Sequence, residues 1–262
     1  MSYTLRFAAV VAVIASAVVA TVAIALESRQ DSNRLLDRRL QILEAVGLRA
    51  PGERLSRDEV MRRFDENVRG LAVDRETGAV VPDAEPTTFD QRRASQDPTT
   101  SRRAPENRAG VARVPDRVVV YHLVHRSDVG DAEEVEAIVL PFEGVGLWST
   151  MYGYLALSAD LSRVVGVTFY EHGETAGLGA LITDADWRAL WVDRRVFDDD
   201  WVPALRVVKG PTGPPAESPF EVDGLAGATL TGNGVTEALR FWLGEDGFGP
   251  YLRRYRAERG IP

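Results

Sequence analysis

RVVGVTFYEHGETAGLGA, residues 163–180, changes character halfway along. Up to His172 it is dense in β-branched and aromatic residues and reads as a strand. Beyond that point Gly173, Gly177 and Gly179 make a turn whose backbone either approaches a ligand closely or simply joins a strand to a helix. The same β-forming composition recurs upstream in RVVVYHLVH (117–125), EAIVLPFEG (136–144) and YGYLALSAD (152–160). Strands so closely spaced predict one mixed or antiparallel sheet. Helical patterns follow in DADWRALWVDRRVF (184–197), where Trp187 and Trp191 stand four apart, in NGVTEALRFWLGE (233–245), which stops near Gly244, and in GPYLRRYRAERG (249–260). The fold class is therefore α+β, a mixed or antiparallel sheet flanked by helices.

Ahead of this region the chain is organised differently. Phe7 to Leu26 carries only Ser16 and Thr21 as polar residues, and as a helix it is long enough to cross a bilayer once. A cleaved signal peptide is the rival reading, since AIA at 23–25 resembles a small-residue cleavage site; the length of the apolar run favours a retained anchor. Arg6 stands on one side of it, and Arg29, Arg34, Arg38 and Arg39 on the other, so charge alone leaves the orientation open. Leu36, Leu40 and Leu43 then mark one face of a short amphipathic helix, which Gly47 would stop. Ser56 with Glu59 reads as a capping box opening a second helix through Val60, Met61 and Phe64. From about Pro82 to Gly110 the chain is polar, with Phe89 its only large apolar side chain, and orders only by packing on something else.

Composition narrows the chemistry. The chain has no cysteine, which removes thiolate metal sites, iron–sulfur clusters and cysteine nucleophiles, so a redox role needs a borrowed cofactor. A formal net charge of −8 argues against nucleic acid as a partner. His122 and His125, three apart in a strand, point to opposite faces and make a poor metal pair, while His172 stands alone, so neither a metal site nor a catalytic residue is assigned. Glu171 and Glu174 have acid/base spacing of a kind common by chance. GVGLWSTMYGYLAL (144–157) sets Trp148, Tyr152 and Tyr154 among glycines, suited either to core packing or to a flat aromatic ligand. DGLAGATLTGNG (223–234) matches neither standard phosphate fingerprint, yet it runs into a helix. Its glycines, threonine hydroxyls and free helix amides suit a phosphate, and a plain Thr or Asn helix cap is the simpler alternative.

Five blocks in order, LQILEAVGL (40–48), FDENVRGLAVDRETG (64–78), LPFEGVGLWSTMYGYLALSAD (140–160), VTFYEHGETAGLGA (167–180) and DGLAGATLTGNGV (223–235), closely resemble the C subunits of sodium-translocating NADH:quinone oxidoreductases. The related G subunits of Rnf-type complexes share the last motif, and a membrane-anchored FMN-binding regulatory or structural protein is a further alternative. The resemblance implies covalent FMN, held as a phosphoester on Thr229 and attached by a flavin transferase that uses FAD. It assigns Asp223, Gly227 and Ala228 to the attachment motif, and Leu147, Trp148, Glu174, Thr175, Leu178 and Gly179 to the surroundings of the flavin. Two positions depart from the family pattern: Ala226 replaces a serine or threonine, and Ala176 a proline. The implied organisation is an anchor at 1–28, a helical lead-in at 29–81, a polar linker or insert at 82–112 and an FMN-binding domain at 113–262. It further implies a single-pass protein of the bacterial inner membrane with its soluble domain on the periplasmic side. Its partners would be membrane lipid and the other subunits of a pump that oxidises NADH and reduces ubiquinone.

Overall fold

Alternation along the strand Glu133–Val145 sends Ile138, Leu140 and Phe142 to one side and Ala137 and Val139 to the other, and all five are buried. A strand apolar on both faces needs a cover on each. The computed structural model describes residues 2–82, 86, 89–126 and 133–261, without the side chains of Ser2 and 22–31, and it supplies both covers. In chain order its elements begin with α1 (Ser2–Ala45), α2 (Arg57–Asn67), β1 (Val68–Asp74) and α3 (Gln91–Gln96). Next come a small hairpin, β2 (Ser101–Arg103) with β3 (Arg113–Pro115), and the long strands β4 (Arg117–Arg126), β5 (Glu133–Val145), β6 (Thr150–Ser158) and β7 (Val164–Glu171). A short 3-10 turn at Gly179–Thr183, α4 (Ala185–Ala189), the two-residue strands β8 (Arg206–Val207) and β9 (Glu221–Val222), α5 (Thr229–Leu243) and α6 (Gly249–Arg259) complete it.

The main sheet is wholly antiparallel, in the order β1-β4-β5-β6-β7. One face packs Ala137, Val139, Tyr154 and Ala156 against Ile42 and Leu43 of α1 and Val60 and Phe64 of α2. The opposite face packs Ile138, Leu140, Leu155 and Leu157 together with Val235 and Leu239 of α5 and Tyr251 and Leu252 of α6. Glycine sets the closest approaches. A Cβ on Gly166 of β7 would lie 2.3 Å from the carbonyl oxygen of Ala45, and one on Gly144 of β5 would lie 2.4 Å from the Cβ of Ala238 in α5.

Several expectations need revision. The apolar span and the amphipathic helix are one continuous helix, α1, which ends where Gly47 takes a positive φ of 76° and the Leu48 N–H donates to the Leu43 carbonyl. Tyr3–Thr21 is the part long and apolar enough to cross a membrane. The side chains of the AIA run at 23–25 lie outside the described residues. Ser56 does cap α2 by accepting the Glu59 N–H, but the Glu59 carboxylate bonds Arg62 and Arg63.

The lead-in expected to be helical contributes β1, paired along its length with β4, so the sheet begins before residue 82. Arg69, Gly70 and Asp74 dilute the β signal of VRGLAVD, and it is pairing with β4 that makes it a strand. Of the polar segment, 83–85, 87 and 88 lie outside the described residues. The remainder packs on the main domain: Asp90 caps α3 and holds Arg38 of α1 at 2.6 Å, and Ala109 and Val111 are buried in the main core.

The helix expected over 184–197 stops at Ala189. Asp193 there takes a φ of 64°, and the buried Arg194 guanidinium donates to the carbonyls of Leu190, Gly213 and Ser218, which hold the chain in a loop. Conversely, α5 begins at Thr229, inside the glycine-rich run.

His122 of β4 faces α6, its Nε2 2.6 Å from the Tyr251 hydroxyl. Burial, with the charge of Arg259 adding to it, pushes its imidazole down to about 4. The unfolded chain, titrating near 6.5, therefore takes up this proton first as pH falls. Stability from this site is complete above the unfolded value and drains away as pH drops toward 4. Chemical denaturation at about pH 5 should show roughly 2 kcal/mol less stability from this source than at about pH 7.5. In His122→Gln that component of the pH dependence should disappear.

Candidate functional site

Three connections meet at one end of the sheet: the β5–β6 turn at 146–149, the chain leaving β7 at 172–178, and the first turn of α5. Glu174 joins them. Its Oε1 accepts from the amides of Trp148 (2.9 Å) and Ser149 (3.3 Å), and its Oε2 accepts from the Leu147 amide (3.1 Å) and the Thr231 hydroxyl (2.5 Å). The carboxylate sits where side chains are excluded, since a Cβ on Gly146 would lie 2.6 Å from Oε1 and one on Gly179 2.8 Å from Oε2. Burial alone would push its pKa up, but the Thr231 hydroxyl and the three amides outweigh that and leave it below the usual carboxylate range.

The helix start gives its two threonines opposite fates. Two residues apart they lie about 200° apart around the axis. Thr231 is fully buried against Glu174, whereas Thr229, the first residue of α5, is exposed. Ahead of it, the Asp223 carboxylate accepts from both the amide (2.9 Å) and the hydroxyl (2.7 Å) of Thr212, and its carbonyl accepts from the Trp187 indole (2.9 Å). Gly224 lies so close to the neighbouring strand that a Cβ would be 2.2 Å from the Val208 carbonyl oxygen. Gly227 has a φ of 72° and abuts Leu178. Ala228, the N-cap, brings no side-chain acceptor, so the amides of the first turn face outward without an intrahelical partner. Thr229 shares a cavity of 500 Å³ with Ala226, Gly227, Asn233 and Lys209.

Beside this cavity large apolar side chains stand in the open: Trp148 is 68% exposed, Leu230 60%, Leu147 44% and Leu178 42%. Leu147 and Leu230 line one further cavity of 350 Å³. Of the residues singled out in the sequence, Leu147, Trp148, Thr175, Leu178, Gly227 and Thr229 are exposed, and Asp223 lines the Thr229 cavity. Glu174, Gly179 and Ala228 lie beneath the surface, where they hold the turns in place. Ala226 and Ala176 are both exposed, so neither departure leaves a buried polar group unpaired. Glu171 is not a partner for Glu174; it binds Arg92 at 2.6 Å. His172 accepts the Glu174 amide within its own turn. Sequence reasoning missed Thr231 and Lys209. Lys209 had a signal, being the only lysine in the chain.

Thr231→Val keeps the shape and removes the hydroxyl, and should lower stability by about 1–3 kcal/mol. Glu174→Gln turns a donor toward donors and should cost about 2–4 kcal/mol. Because the folded Glu174 carboxyl is held low, the stability it gives is present above the usual carboxylate range and lost as pH falls through the folded value. Denaturant titrations in acid should show that component in the parent and not in Glu174→Gln.

A family model described as an FMN-binding domain matches residues 146–244, which contain all three connections. The C subunit of the Na(+)-translocating NADH-quinone reductase of Yersinia pestis is 40% identical over 97% of this chain and 92% of its own length. Its counterpart in Pseudomonas aeruginosa is 40% identical over 97% of this chain and 95% of its own. Among solved structures, NqrC of Shewanella oneidensis superposes with a TM-score of 0.76 at 33% identity, over 86% of this chain and 99% of that one. The C subunit of the enzyme from Parabacteroides distasonis, at 24% identity and a TM-score of 0.64, shares the fold. Likeness of this extent, over both sequence and fold, means that the chain belongs to the family of C subunits of the Na(+)-translocating NADH-quinone reductases.

Proposed function

We propose that this chain is the membrane-anchored electron-carrying subunit of such a reductase and holds FMN covalently through the Thr229 hydroxyl. The observation that carries this reading is the split between the two threonines: Thr231 is committed to Glu174, and Thr229 is presented to solvent at a helix start, in a cavity floored by glycine. FMN supplies the electron chemistry, accepting and passing on electrons that no side chain of this chain can carry.

The residues present fit the group. A phosphoryl group on Thr229 would face the unpaired amides of the first turn of α5, at the positive end of a 15-residue helix. Gly224 and Gly227 let the backbone lie flat beneath it. The exposed Leu147, Trp148 and Leu178 offer a flat ring an apolar surface, and Glu174 beneath them fixes the turns on which Leu147 and Trp148 stand. Thr175, Gly179, Asp223 and Ala228 complete the surroundings, the last three through backbone placement.

The attachment would exchange a phosphoanhydride for an ester. The Thr229 oxygen would bond the flavin-side phosphorus of FAD as the bond to the adenylate phosphate breaks, AMP would leave, and the hydroxyl proton would pass to a base of the transferase. No electron changes hands. A threonine hydroxyl is a poor nucleophile near neutral pH, so an external enzyme would activate it.

Anchoring rests on Tyr3–Thr21 of α1, whose side chains are exposed in the isolated chain. A periplasmic position for the domain is supported by where its arginines go. Arg38 pairs with Asp90, and Arg39 pairs with Asp65 and stacks over Phe64, so both are folded into the domain, while Arg6 remains on the other side of the span. The other subunits would supply the NADH site, the quinone site and the ion path.

Co-expression with a flavin transferase should give a band that keeps flavin fluorescence through denaturing electrophoresis. Thr229→Val should be dark while its stability stays within about 0.5 kcal/mol of the parent, since the side chain is exposed. A Thr229→Val band as bright as the parent would sink the assignment.

A further inference from the structure

The cation nearest the attachment loop differs from all the others in the chain. Histidines aside, every basic side chain but one is arginine, and the single lysine, Lys209, lines the same cavity as Thr229. Composition alone would put an arginine there. Arginine binds best as a planar fork, matched to two oxygens at once, whereas the ammonium of lysine is a compact point charge on a flexible stem. A phosphodiester carries a single negative charge, which a point charge on a flexible stem can meet without the fixed geometry that a fork demands.

The backbone around Lys209 is fixed on both sides. Upstream, the Val207 amide donates to the Thr236 hydroxyl of α5 at 2.9 Å, and the Val208 amide donates to the Val222 carbonyl at 3.0 Å. Downstream, the Gly224 amide donates to the Gly210 carbonyl at 2.9 Å, and Thr212 is held by Asp223. Gly224 lies against Lys209 itself, with 3.3 Å between its would-be Cβ and the lysine Cα. The strap at 207–212 and the attachment loop are thus laced together with Lys209 at the junction.

The charge has no other engagement. Many arginines are paired with carboxylates, yet among the described residues the Lys209 ammonium has no ion pair. Two acidic groups lie in or near the cavity. Asp223 gives one oxygen to both donors of Thr212, and Glu221 pairs with Arg206 at 2.5 Å. An exposed ammonium left without a partner, beside a hydroxyl at a helix start, is placed to receive an anion.

We infer that Lys209 is the counter-charge of the phosphodiester formed at Thr229, gripping the phosphate against the start of α5 and so fixing the direction in which the flavin leaves its tether. The inference rests on the covalent attachment proposed above. Lys209 takes no part in making the ester; it is a binding and positioning residue for the product.

A single lysine makes the test direct. Reductive methylation of the full-length, detergent-solubilised chain with ¹³C-formaldehyde labels two amines, Lys209 and the amino terminus, and Lys209→Arg shows which NMR signal belongs to the lysine. Mass spectrometry of the same samples reports whether FMN is attached. In flavinylated protein the dimethyl-lysine signal should shift relative to Thr229→Val, and its titration midpoint should rise by roughly half a unit to one unit, as expected for an ammonium beside a new negative charge. Flavinylated protein whose lysine signal and midpoint match those of Thr229→Val would overturn this inference and leave the attachment standing. Protein that takes up no flavin would overturn both, and the mass distinguishes the two failures. As a second arm, Lys209→Gln brought to the parent's flavin occupancy by mass should hold its flavin more loosely, with a lower flavin fluorescence anisotropy, while the apo protein melts at the parent temperature. An anisotropy equal to the parent's at equal occupancy would count against the grip on phosphate.

Discussion

One buried carboxylate holds this site together. Glu174 accepts hydrogen bonds from three successive amides of the β5–β6 turn and from a hydroxyl on α5, so three connections far apart in sequence share one charge. A carboxylate with four donors around it is satisfied without a cation, and its burial becomes tolerable because those donors replace the water it gives up. The arrangement is also exacting. Gly146 and Gly179 are glycines because any side chain would enter the space of the carboxylate, and Thr231 must point inward, which turns Thr229 outward. The reactive-looking position on the surface is thus a consequence of the unreactive one below it.

Helix α5 supplies the second constraint, because its start must lie close to the sheet for Thr231 to reach Glu174. Close approach is set by small residues. Gly234 sits where a Cβ would be 2.3 Å from the Val145 carbonyl oxygen, and Gly144 meets Ala238 one turn further along. Glycines weaken a helix by roughly 1 kcal/mol each relative to alanine, yet α5 carries Gly232 and Gly234 within its first six residues. Burial of Val235, Leu239 and Trp242 against the sheet offsets that cost. The run TLTGNG is therefore helical, and its glycines serve packing rather than pliability.

This explains which parts of the molecule were legible in advance. The strands β4 to β7 could be read because each is apolar or alternating on its own, without reference to a neighbour. β1 could not, because Arg69, Gly70 and Asp74 obscure it and only its pairing with β4 makes it a strand. The end of α4 escaped because Arg194, an ordinary surface residue by type, is buried to bind loop carbonyls. At the candidate site, Thr229, Leu147, Trp148 and Leu178 were named through resemblance, and the fold adds that all four are exposed. That Glu174 and Gly179 act from below, and that Thr231 exists to serve Glu174, are facts of three-dimensional register that no local pattern encodes. Lys209 lay in between, conspicuous by count but assigned to a place only by the fold.

The site is tied to helix α1 through the same kind of contact. Helix α1 runs from the apolar stretch to Ala45, where its carbonyl rests on Gly166 of β7. Near its end Glu44, largely buried, binds Arg49 at 2.5 Å and Arg188 of α4 at 2.6 Å. Next to Arg188, Trp187 donates its indole N–H to the carbonyl of Asp223, the residue that opens the glycine-rich run ahead of α5. Each link is short and at least partly buried, where water competes little and an ion pair once broken is costly. An electron carrier of the kind proposed would gain from such a linkage, because the height of its cofactor would then be set by the helix rather than by a hinge. On the function proposed above, the long α1 helix would be both the anchor and the ruler that sets where the Thr229 end of the sheet stands.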